Sequence, residues 1–136
     1  MVKGILADIH MIPEVEGLVR AMQEEPWAEF WGHLSLVLYR FEDVGLTPSS
    51  TDPEIWQRCQ TEQLIFITNN RNQDSADSLE SAIRIHNTPS SLPVFTMGKL
   101  GRLQRSSEYA DRVLKTLYAY LLDIDRVRGA GRLYLP

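Results

Sequence analysis

The sequence predicts a single domain spanning residues 1–136, a three-layer α/β/α sandwich on a mostly parallel sheet of four to five strands. Three observations predict it. Short apolar runs at residues 2–7, 64–68 and 92–97 stop abruptly at polar turns, as buried parallel strands do. Between them, apolar residues recur at helical spacing. No repeat, low-complexity stretch or linker interrupts the 136 residues, enough chain to bury most of its apolar surface in one core.

Taken in order, residues 2–7 read as a strand, and Val15, Leu18, Val19 and Met22 mark a helix over 13–23 with Pro13 at its entry. Pro26 ends it, Trp27, Phe30 and Trp31 suggest a second short helix, and residues 34–41 are β-rich. Residues 45–53 form a turn-rich loop. Its Ser50-Thr51-Asp52-Pro53-Glu54 end starts a helix with a capping side chain, a first-turn proline and acids at the positive end of the dipole. Ile55, Trp56 and Cys59 face inward from that helix, and residues 64–68 are the clearest strand. A helix over 74–85, a loop over 87–91, a strand over 92–97 and the longest helix over 106–122 follow. The Gly129-Ala130-Gly131 turn leads to residues 132–136, an edge strand or clasp.

Net charge is −4, unevenly spread: residues 1–98 carry 6 Lys/Arg against 14 Asp/Glu, and residues 99–136 carry 8 against 4. A basic C-terminal third beside an acidic body attracts phosphate chains, or is simply a solvated helix face. Lone Cys59 makes no internal bridge and reads as a core thiol, so a cytoplasmic setting is expected. No apolar run approaches the roughly 20 residues that span a bilayer, so no membrane association is expected. Neither a dinucleotide fingerprint nor a phosphate-cradling glycine loop is present. His10, His33 and His86 share no metal-ligand spacing, and the tryptophans read as core or interface anchors.

Carboxylates at strand ends and helix starts carry the functional reading. Asp8 ends the first strand, where open α/β sheets place ligands. Glu54, with Asp52 nearer the capping position, opens a helix, and Asp74 and Asp77 open the next, with Asp77-Ser78-Leu79-Glu80 shaped as a capping box. Asp8, Glu54, Asp74 and Asp77 on one rim suit Mg2+ or Mn2+ held by a few carboxylates and waters. Asn70 and Arg71 are placed to orient phosphate. Capping alone also explains part of this set.

With these residues laid out, the chain resembles the PIN-like domain superfamily, specifically small bacterial toxin-type PIN proteins of largely unassigned function. An early strand ends in Asp, as at Asp8. A β segment passes through Val44-Gly45-Leu46 to the acidic helix start Asp52-Pro53-Glu54. A strand then runs into Thr-x-Asp-Arg-Asp, which here reads Thr68-Asn69-Asn70-Arg71-Asn72, with asparagine for both aspartates. The resemblance implies a magnesium-dependent ribonuclease acting on RNA, with an antitoxin protein as partner. The asparagines keep the shape and an oxygen ligand and remove negative charge, which points to a PIN-like interaction module as the alternative. The aromatic segment 27–31 adds a homodimer to the expected partners.

Overall fold

In the computed structural model, which describes residues 1–70, 78–98 and 106–136, five strands alternate with five α-helices. The strands are β1 (Gly4–Ala7), β2 (Val37–Tyr39), β3 (Leu64–Thr68), β4 (Val94–Met97) and β5 (Arg132–Leu135). The helices are α1 (Ile12–Met22), α2 (Ala28–Leu34), α3 (Asp52–Glu62), α4 (Leu79–His86) and α5 (Ser107–Leu122). The sheet runs β2-β1-β3-β4-β5, with every neighbouring pair parallel.

Side chains alternate across a strand, and here both faces are covered. Every residue of β1, β3 and β4 is buried. Ile5, Ile65, Ile67 and Phe95 pack with Leu18 and Met22 of α1 and Leu117 of α5. Leu6, Leu64, Phe66 and Val94 pack with Ile55 and Trp56 of α3 and Ile83 of α4. Cys59 belongs to this second core, and burial pushes its thiol far above the usual range, consistent with a packed apolar group. Among the described residues, no helix is long and apolar enough to cross a membrane.

Two elements depart from the sequence pattern. β2 is three residues long because Leu34 closes α2, Ser35 takes a left-handed φ of 52°, and the chain after Tyr39 enters a 3-10 turn over Phe41–Val44. That turn is fixed by Asp43 Oδ2, which accepts from Arg40 N at 2.8 Å. α4 begins at Leu79, because Ser78 is extended and its side chain caps the helix by accepting from Ser81 N. Residues 74–77 lie outside the described residues. The aromatic segment is used internally: Trp27 stacks on Tyr118 at 5.7 Å, while Phe30 is 37 % exposed.

Gly4 shows how closely β1 and β2 approach: a Cβ there would lie 2.0 Å from the Val37 carbonyl oxygen. Gly4→Ala therefore forces two backbones apart and is expected to destabilise the fold by about 3 kcal/mol, measured by urea titration. Tyr118 is buried in α5, donates to the Met22 carbonyl at 2.8 Å, and is pushed from 10.0 up to about 12 by burial. The folded state thus holds this proton more tightly than the unfolded chain. Its contribution is complete below pH 10 and is lost as pH rises through about 12. Tyr118→Phe should flatten that alkaline loss, read as unfolding midpoints at about pH 9 and about pH 11.

Candidate functional site

The strand order reverses direction at β1: the chain goes first to β2 on one side and then returns past β1 to β3 on the other. Open α/β sheets carry their ligand crevice at the carboxyl ends of such a pair. Ala7 pairs with Ile67, so the next residues, Asp8 and Thr68, meet at this switch point.

Asp8 is 6 % exposed and needs donors to replace lost water. Its Oδ1 accepts from His10 N at 3.0 Å, and its Oδ2 accepts from the Thr68 hydroxyl at 2.5 Å. The same Thr68 oxygen accepts from Asn70 N at 2.9 Å. Asn70 then donates through Nδ2 to Asp52 Oδ2 at 3.0 Å, and Asp52 Oδ2 also accepts from Leu79 N at 3.0 Å. Asp52, the first residue of α3, thus supplies an acceptor to one of the unpaired amide groups that open α4.

These groups surround a pocket of about 380 Å³ lined by Asp8, His10, Ser50, Asp52, Asn69 and Asn70, with Phe41 and Phe66 in its apolar wall. Among the described residues, no Lys or Arg is part of its lining. Two carboxylates without an ion-paired cation favour a positively charged ligand.

Of the residues singled out from sequence, the fold brings Asp8 and Asn70 together at the pocket. Glu54 is exposed on α3 and is not among the lining residues; Asp52 occupies the pocket from that helix start. Arg71, Asp74 and Asp77 lie outside the described residues. Among the described residues, no group of three or more His, Cys, Asp or Glu is arranged to hold a metal ion. Sequence reasoning gave Thr68 no role of its own beyond opening the Thr68–Asn72 match, and left His10, which is a lining residue, as a local hydrogen-bonding residue. Strand register is the signal for Thr68, since the residue ending β3 must face the one ending β1.

Thr68→Val keeps the shape of this fully buried side chain and removes both the donor to Asp8 and the acceptor for Asn70. A loss of about 3 kcal/mol in urea titration is expected, with Thr68→Ser recovering most of it.

The chain matches no family model, no curated protein and no solved structure. Its function is therefore argued from the pocket.

Proposed function

We propose that the pocket at the ends of β1 and β3 is the site of a metal-dependent endoribonuclease of the PIN-like toxin type, using Mg2+ or Mn2+. The observation that carries this reading is the pairing of Asp8 and Asp52, 44 positions apart in the chain, in one pocket whose described lining has no cationic side chain. The donor set fits a hard dication. Asp8 accepts one hydrogen bond on each oxygen, and both hydrogen bonds to Asp52 fall on Oδ2, so lone pairs remain on both carboxylates. Mg2+ takes one or two carboxylates and keeps several waters, which a pocket of about 380 Å³ accommodates.

Asp8 and Asp52 are the residues that would hold the ion. Bound there, Mg2+ or Mn2+ would neutralise a phosphate and acidify a water. The chain's own part is orientation. Thr68 and His10 N fix the Asp8 carboxylate, and Asn70 fixes Asp52, so neither must reorganise when a phosphate arrives. Asp74 and Asp77 belong to the proposal as further ligands and Arg71 as a phosphate-orienting cation. Both flanks of their segment reach the site, through Asn70 in the pocket wall and Leu79 N on Asp52. Glu54, exposed on α3 and outside the pocket lining, is the weakest member of the proposed ligand set.

A second reading, a PIN-like interaction module with an antitoxin or a second copy as partner, is favoured by one observation. Asn70 and Asn72 stand where the resemblance has aspartates, which removes negative charge from the site.

Thermal melts separate the two. With Mn2+ at ten times its dissociation constant the folded state gains about 1.4 kcal/mol, so the melting temperature should rise by roughly 4 °C. Asp8→Asn and Asp52→Asn should each abolish the rise, and EDTA should stop cleavage of an RNA substrate. No rise in the wild-type protein supports the interaction module, and a full rise in Asp8→Asn removes that residue from the site.

A further inference from the structure

Behind the pocket wall sits a group that neither carboxylate touches. Arg132, the first residue of β5, has only 6 % of its side chain exposed, and a guanidinium so far out of water must be paired to be tolerated. Its Nη1 donates to the Asn70 carbonyl at 2.8 Å and to the Thr96 hydroxyl at 2.6 Å. Its Nε donates to Glu80 Oε2 at 3.0 Å, while Nη2 lies 2.9 Å from the same oxygen without hydrogen-bond alignment. One side chain therefore ties the C-terminal edge strand to β4, α4 and the residue that leaves β3.

The backbone delivers it there. Gly131 adopts a φ of 82°, and its carbonyl accepts from Val94 N at 2.9 Å, so Arg132 enters β5 in register with Val94. A Cβ on Gly131 would lie 3.0 Å from Ile83, so the turn passes tightly over α4.

We infer that Arg132 is a positioning residue for the pocket, holding the Asn70 main chain so that the Asn70 amide meets Asp52. Asn70 is gripped on both sides of its peptide: its N–H by Thr68, its carbonyl by Arg132. With the carbonyl released, the Asn70 main chain loses a charged anchor, and the amide facing Asp52 is held less firmly in its direction. The contacts argue for Arg specifically, because its fork reaches Asn70, Thr96 and Glu80 together and an ammonium acts as one point charge. The inference rests on the nuclease reading only in treating this pocket as the ligand site.

The test compares Arg132→Lys with Thr96→Val, which removes one acceptor of the guanidinium and leaves Asn70 held. Two readouts are taken on the full chain: the nitrogen–proton resonances and hydrogen exchange of the Asn70 side-chain amide without metal, and the Mn2+ dissociation constant. In Arg132→Lys the Asn70 amide should exchange at least tenfold faster and Mn2+ binding should weaken at least tenfold. Thr96→Val should leave both within twofold, whatever it does to melting temperature. Unchanged Asn70 exchange in Arg132→Lys, or an equal change in Thr96→Val, overturns the inference. If the wild-type protein ignores Mn2+, the metal reading fails and the Asn70 exchange alone decides this one. Should Arg132→Lys not fold, Glu80→Gln, which weakens the anchor of the guanidinium, must move Asn70 exchange in the same direction by a smaller factor. No movement there overturns the inference as well.

Discussion

The hydrogen bond from the Thr68 hydroxyl to Asp8 is the interaction on which the rim of this sheet depends. A carboxylate that is 6 % exposed has lost most of its hydration, and protein donors must stand in for it. A hydroxyl can donate and accept at once, so the oxygen that serves Asp8 also takes the N–H of Asn70 and sets the direction in which the chain leaves β3. From there the order passes outward through Asn70 to Asp52, and through Asp52 to the start of α4. One buried hydroxyl thus links the ends of two strands to the starts of two helices. Valine in its place would fit the same space and leave both neighbours unserved.

Most of the fold was legible because burial on two faces leaves a plain trace. β3 appears at residues 64–68 as read from its apolar run, and the long C-terminal helix begins one residue after its Ser106 cap. The failures were local and electrostatic. β2 shrank to three residues because a left-handed Ser35 and the Asp43 to Arg40 hydrogen bond bend the chain out of the sheet, and neither is an apolar signal. α4 is capped by Ser78 and not by an acid. In the site, Asp8 was legible from its place after an apolar strand. Thr68 was legible as the start of the Thr68–Asn72 match, but its role was not, since a threonine ending a strand looks like any β-branched residue until register places it opposite a carboxylate. Arg132 was invisible for the same reason: its partners at positions 70, 80 and 96 become neighbours only through the parallel order of β3, β4 and β5.

Helix geometry explains why Asp52 and not Glu54 reaches the pocket. Thr51 caps α3, so the two acids occupy its first and third positions, about 200° apart at 3.6 residues per turn. A helix start that turns Asp52 toward Asn70 must turn Glu54 away, and Glu54 is indeed exposed. Reading acids at a helix start as one cluster overlooks this rotation. Asp52 combines two tasks that need the same charge: it compensates the unpaired amide of Leu79 at the opening of α4 and adds negative potential to the pocket. Its structural duty is therefore no argument against a ligand, because the two hydrogen bonds from Asn70 and Leu79 share one oxygen.

The two functional readings come down to what supplies positive charge. Among the described residues, Asp8 and Asp52 line the pocket without Lys or Arg beside them, so a phosphate group meets like charge from these two side chains. In the proposed nuclease a dication held by Asp8 and Asp52 would reverse that sign, whereas an interaction partner would have to bring its own cationic side chain. Charges buried together are little screened, while attraction between exposed surfaces falls off over about 8 Å at physiological ionic strength. Asp8, nearly sealed from solvent, would meet such an ion from the pocket side, with the ion keeping most of its own waters. The burial that makes Asp8 dependent on Thr68 thus also makes the sign of whatever fills the pocket matter in either proposed reading.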